Sequence, residues 1–144
     1  MRYDFKKQLR SFGYAWQGIR SCVGKEQNLS FHLIAMTAVT LAGFVLGITR
    51  TEWTVVILCF GVVIAAELFN TAIEAVVDMA EEKFSEKYNR LAKISKDTAA
   101  GAVLVGAIFA VCTGIAILAQ PDAFRAMFAY YAEKPYMIAV LIYF

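Results

Sequence analysis

Three stretches of this chain are apolar enough and long enough to cross a bilayer as helices, the second with acids in its latter half. They are residues 29–48 (LSFHLIAMTAVTLAGFVLGI), 53–79 (beginning WTVVILCFGVVIAAELFN) and 98–119 (TAAGAVLVGAIFAVCTGIAILA). About twenty residues at 1.5 Å each rise about 30 Å, the thickness of the hydrocarbon core. The chain of 144 residues is 60% hydrophobic and 18% charged, whereas a soluble domain carries about 25% charge. Both prolines, Pro121 and Pro135, lie after the third stretch, so nothing before them breaks a helix. The expectation is an all-α integral membrane protein with three transmembrane helices.

Residues 1–26 predict a further helix, lying on the membrane surface. Phe5, Leu9, Phe12, Trp16, Ile19 and Val23 recur at spacings of four and three, while Arg2, Lys6, Lys7, Arg10, Arg20 and Lys25 supply cations. Cations also set the orientation. The connection between spans one and two carries Arg50 alone, but the one between spans two and three carries Lys83, Lys87, Arg90, Lys93 and Lys96. The positive-inside rule puts the N-terminus and this second connection in the cytoplasm. Residues 1–120 then form the membrane-embedded domain, and residues 121–144 form a C-terminal tail of unassigned role, with Arg125 and Lys134 in it.

The informative stretch is the second half of span two, Glu67-Leu-Phe-Asn70-Thr-Ala-Ile-Glu74-Ala-Val-Val-Asp78. At 100° per residue, Asn70, Glu74 and Asp78 lie about −60°, −20° and +20° from Glu67, so the four share one stripe. The stripe is about 16 Å long and runs from within the bilayer to the cytoplasmic end of the helix. Ionisable groups at that depth are costly and mark function. A polar seam between helices would need donors; three carboxylates and one amide call instead for cations. Glu26, before span one, and Lys96 and Asp97, before span three, face the same boundary. Carboxylates such as Glu26 and Glu74 suit Mg²⁺, which binds one or two carboxylates together with substrate phosphates and water. Lys96 suits a phosphate, although a Lys-Asp pair is also an ordinary helix start with Asp97 as its cap.

Other chemistries find little support. The net charge of +2 is too weak for a nucleic-acid partner. Cys22, Cys59 and Cys112 show neither a disulfide framework nor zinc spacing. The charged N-terminus lacks an apolar signal core, so no cleaved secretory signal is expected. Gly18 to Glu26 is not a P-loop: it has one residue too many between its glycines, Glu26 where Ser or Thr belongs, and no preceding strand. No signature set of the soluble protein kinases is present. His32, the single histidine, is read as a hydrogen-bonding group near the interface.

At these residues the chain resembles the prokaryotic integral-membrane diacylglycerol kinase family, which also contains undecaprenol kinases. The pattern Glu-x-x-Asn-[Ser/Thr]-Ala-Ile-Glu-x-x-Val-Asp runs here from Glu67 to Asp78. It is joined by Gly13-Tyr14-Ala15-Trp16-x-Gly18-Ile19-Arg20, by Glu26, and by Lys96-Asp97-x-Ala99-Ala100. The resemblance covers residues 5–119 and leaves the tail out. It implies a homotrimer with active sites shared between neighbours, and transfer of the γ-phosphate of ATP, with Mg²⁺, to a lipid hydroxyl. In that scheme Glu67 is the general base and Asn70 positions the reacting groups. Glu26 and Glu74 hold the metal. Lys7, Tyr14, Asp78, Tyr88, Lys96 and Asp97 contact the nucleotide, and Trp16, Arg20, Glu67 and Ala100 border the lipid. Lys7 stands where some relatives have arginine, which reduces that contact to a point charge.

The resemblance also bears on the acceptor. Glu26-Gln-Asn28-Leu-Ser-Phe-His32 and Ala99-Ala100-Gly101-Ala102 are similar to the undecaprenol kinase branch, which favours a polyprenol over diacylglycerol. The localisation implied is the bacterial inner membrane. A small oligomeric transporter or proton pathway using Glu67 is the competing class. Such proteins generally need four spans and keep their acid in the first. Gly43 and Gly47, a small-xxx-small pair in span one, would let helices approach closely in an oligomer.

Overall fold

The computed structural model describes residues 4–23, 26–81 and 86–134, with the side chains of 86–89, 123, 127 and 131 left aside. Among the described residues five helices follow one another: α1 (Phe5–Cys22), α2 (Gln27–Leu46), α3 (Arg50–Glu81), α4 (Glu86–Leu118) and α5 (Pro121–Glu133). No strand occurs among the described residues. Three of these helices are long and apolar enough to cross a membrane: Gln27–Leu46, Arg50–Glu81 and Arg90–Leu118. The chain is a multi-pass, all-α membrane protein.

Helix α1 starts at Asp4, whose carboxylate accepts from the backbone N–H of Lys6 (3.0 Å) and Lys7 (3.2 Å). Of its residues only Cys22 is buried. The expected division into an apolar and a basic side is not clear. Tyr14 stands about 180° from Phe5 at 100° per residue, and Arg20 about 60° from it, at the border of the aromatic row. Phe5, Phe12 and Trp16 are as exposed as Tyr14, so packing within one chain does not set one side apart from the other.

Helix α2 ends where Gly47 turns left-handed, at φ 64°, with the Ile48 N–H donating to the Gly43 carbonyl at 3.2 Å. A β-carbon on Gly43 would sit 2.9 Å from the Trp53 ring, and Phe44 and Trp53 stack with centroids 4.9 Å apart. Both glycines therefore have local uses, one seating Trp53 and the other stopping a helix.

Helix α3 has 32 residues and is about 48 Å long, well beyond the bilayer core. Its start is a reciprocal cap: Glu52 Oε2 accepts from the Thr49 N–H and hydroxyl, each at 2.7 Å, while Thr49 Oγ1 accepts from the Glu52 N–H at 3.3 Å. Helices α3 and α4 form an antiparallel hairpin. Lys96 meets Asp78 and Glu81 at one end, and Gln120, just past α4, donates to Glu52 at the other (2.7 Å).

The charged segment between spans two and three reads as a loop in the sequence, yet α4 already begins at Glu86. Glu, Lys, Arg, Leu and Ala are all strong helix formers, so charge there marks a helix leaving the membrane. Asp97 is accordingly an interior residue of α4 and not its cap. The tail expectation gains an element as well: α5 opens with Pro121 at its first turn.

The buried core is thin. It consists of Cys22, Leu29, Val56, Val63, Ala92, Ala99 and Val103, with Glu67 and Asn70 as the buried polar residues. Large apolar side chains such as Phe31, Phe44, Phe69 and Phe109 remain exposed, as expected of a surface that meets lipid or further subunits.

Candidate functional site

The α3 stripe forms as one face, with exposure rising along it. Glu67 and Asn70 are 2% and 5% exposed, whereas Glu74 is half-buried and Asp78 exposed. The Asn70 amide donates to Glu74 Oε1 at 2.9 Å. This bond fixes which way the amide points and leaves Asn70 Oδ1 buried without a partner. Glu67 Oε1 is likewise buried without a hydrogen bond. His32 Nε2 lies 3.1 Å from it, a close contact that does not amount to a hydrogen bond. Two neighbouring turns of one helix thus hold two unfilled acceptors, where burying one costs about 1–3 kcal/mol.

At the polar end the stripe meets a cation. Lys96 of α4 pairs with Asp78 and lies 3.1 Å from Glu81. Glu81 is absent from the sequence-based candidates. Its three-residue spacing from Asp78 puts it on the same side of α3, which is the signal that would have found it. His32 is the second omission: it was assigned a hydrogen bond near the interface, and only packing of α2 on α3 brings it to Glu67.

Other candidates are less gathered. Tyr14, Trp16 and Arg20 are exposed along α1, and Lys7 contributes its backbone N–H to the Asp4 cap. Glu26 is the half-buried cap residue of α2, without a side-chain capping bond. Asp97 and Ala100 are exposed on α4. Tyr88 falls in α4, but its side chain lies outside the described residues. Among the described residues, no group of three or more His, Cys, Asp or Glu is placed to hold a metal within one chain.

Beyond Glu67, towards the α2–α3 turn, an apolar groove of about 460 Å³ opens between the helices. Phe31 and His32 line it at one end, Val56 and Phe60 along α3, Val111 along α4, and Phe124 of α5 at the far end. His32 therefore borders both the groove and the buried carboxylate.

A hairpin of spanning helices with a carboxylate face, unfilled acceptors at depth and a lysine at its mouth marks a membrane protein with a polar face buried between its helices. Residues 13–118 match the family described as Prokaryotic diacylglycerol kinase. The chain is 37% identical over 116 residues to an undecaprenol kinase of Bacillus subtilis, covering 81% of this chain and 91% of that one. It is 40% identical over 113 residues to a diacylglycerol kinase of Synechocystis, covering 78% of this chain and 63% of that one. To a diacylglycerol kinase of Escherichia coli it is 28% identical over 114 residues, covering 79% and 90%. The chain belongs to the prokaryotic diacylglycerol kinase family, and so to the membrane enzymes that transfer phosphate to a lipid alcohol.

Proposed function

We propose that this enzyme transfers the γ-phosphate of ATP, with Mg²⁺, to the primary hydroxyl of undecaprenol, with diacylglycerol as the alternative acceptor. The observation that carries the reading is Glu67: a carboxylate 2% exposed in the middle of a spanning helix, with one oxygen unfilled. A lipid hydroxyl arriving at bilayer depth would donate to this carboxylate, and Glu67 would take its proton as the oxygen attacks the γ-phosphorus and ADP leaves. Asn70 and Glu74, joined by their hydrogen bond, would sit beside the phosphates.

The donor set suits a hard cation. Glu74 and Glu26 are carboxylates, and Asn70 Oδ1 is a buried oxygen with no partner, which is the type of ligand that Mg²⁺ prefers. Bound there, the metal would neutralise phosphate charge. Phosphoryl transfer asks the protein mainly for positioning and charge. Lys96 would exchange its carboxylate partners in part for phosphate, and Lys7, Tyr14, Asp78, Tyr88 and Asp97 would complete the nucleotide contacts. Trp16, Arg20 and Ala100 would border the lipid headgroup.

Undecaprenol is preferred because the Bacillus relative bearing that name aligns over most of both chains. A trimer with shared sites accords with the exposed apolar faces. The cations of α1 and of the start of α4 support a cytoplasmic site in the bacterial inner membrane. The test is purified protein with labelled ATP and Mg²⁺, offered undecaprenol and diacylglycerol side by side in the same mixed micelles. Faster labelling of undecaprenol is expected. Preferential labelling of diacylglycerol reverses the acceptor, and labelling of neither overturns the reading.

A further inference from the structure

Between the apolar groove and the buried carboxylate stands one side chain, His32. Its ring lines the groove on one side, and its Nε2 lies 3.1 Å from Glu67 Oε1 on the other. The His32 side chain is 16% exposed and that of Glu67 is 3% exposed. Two side chains so close and so withdrawn from solvent are held together by their helices. The pairing is between α2 and α3, so it also fixes where span one stands against the stripe. It is nonetheless unfinished, because Glu67 Oε1 has no aligned hydrogen bond. Such contacts in empty active sites are often poorly aligned and tighten when substrate arrives.

We propose that His32 is a positioning residue for Glu67. Its Nε2–H turns the carboxylate towards the end of the groove and holds it there while the hydroxyl of the lipid donates to it. The proposal rests on Glu67 being the base. It assigns the lipid an entry direction: chain along Phe31, Val56 and Phe60, hydroxyl foremost past His32. The proton is on Nε2 for this purpose, with Nδ1 as the acceptor of the neutral ring. A positioning role predicts a loss in turnover and not in affinity, since neither the nucleotide nor the lipid chain depends on the imidazole N–H for binding.

The test uses full-length protein in mixed micelles with ATP, Mg²⁺ and the acceptor lipid preferred in the side-by-side assay. His32→Leu keeps the groove apolar and removes the donor; His32→Gln retains an N–H at similar reach. For His32→Leu, kcat is expected to fall about tenfold to a hundredfold, the size of loss that a displaced reacting group produces. KM for both substrates should stay within about twofold, and His32→Gln should recover most of kcat. Unchanged kcat in His32→Leu overturns the proposal, as does a raised lipid KM with no rescue by glutamine, which would make His32 groove lining only. If the leucine variant does not elute as the wild-type oligomer, His32→Asn replaces it. Its amide stops short of Oε1, so a low kcat is expected beside a rescued His32→Gln, and wild-type kcat overturns the role. Glu67→Gln run in parallel separates the two readings: if it keeps turnover, the base assignment fails. If it is inactive while His32→Leu is normal, the His32 role alone fails.

Discussion

Helix α3 carries two glutamates that make opposite uses of the same side chain. Glu52, in its first turn, has both oxygens occupied: Oε2 by the Thr49 N–H and hydroxyl, Oε1 by the Gln120 amide. Glu67, about four turns further on, is buried yet leaves an oxygen unfilled. A carboxylate with all its bonds made inside the protein stabilises the fold and has nothing to offer a ligand. One kept buried with an open acceptor costs stability, and that cost is tolerated where chemistry needs the acceptor. The difference lies in the neighbours. The Glu52 partners come from the turn before it and the end of α4, both fixed by backbone geometry. Glu67 has the His32 ring 3.1 Å from its free oxygen, with no hydrogen bond between them.

The largest effect should come from removing the open carboxylate. Glu67→Gln keeps the shape and takes away the basic oxygen. Turnover is expected to fall by about 10²–10⁴, the range of a general base. Stability should not fall, because a buried carboxyl group with an unfilled oxygen has been replaced by an amide of the same shape. Labelled phosphate transfer and the thermal midpoint of the purified oligomer check both halves. Near-normal turnover would remove Glu67 from the role and erase the contrast with Glu52.

A smaller effect is expected where the stripe meets water. Lys96→Met leaves Asp78 and Glu81 without their shared cation. KM for the nucleotide should rise about tenfold, as for loss of one charge-assisted contact, with kcat less affected and the lipid KM unchanged. Lys96→Arg should restore part of the affinity, since charge persists while geometry changes. A lipid KM that moved instead would place Lys96 on the acceptor side of the site.

One side of this contrast, the stripe that holds Glu67, is legible in the sequence, while the Glu52 cap, closed by Gln120 from beyond α4, is not. The stripe from Glu67 to Asp78 follows from helical periodicity alone, and the three spans follow from length and apolar composition. Neither depends on what packs against the helix. The partners were harder to read. His32 and Glu67 are far apart in the chain and meet only because α2 crosses α3 at that depth, while Glu81 is on the stripe's side by its spacing from Asp78 and shows its use only when Lys96 of α4 reaches it. The charges before span three suggest a loop, yet the same residues favour a helix projecting from the bilayer, and α4 begins at Glu86. Gly43 and Gly47 were read as a pair by their spacing. Their separate uses depend on Trp53 and on the left-handed turn at the end of α2.

The smallest effect should appear at the closed end, where it tests whether α3 acts as one lever or as two independent halves. Thr49→Ala removes the hydroxyl that donates to Glu52 Oε2 and accepts from the Glu52 N–H, while the backbone donor at 2.7 Å and the Gln120 bond remain. Loss of such a cap costs about 1 kcal/mol, and the long 3.3 Å return bond places the effect in the lower part of that range. The thermal midpoint should therefore drop by a few degrees at most, with kcat and both KM values unchanged. Glu67 lies about 22 Å away along the helix, further than mutational effects usually couple. A fall in kcat as large as that of His32→Leu would mean that the cap sets the rotation of α3 and hence the aim of Glu67. The fully bonded glutamate would then be part of what holds the open one in place.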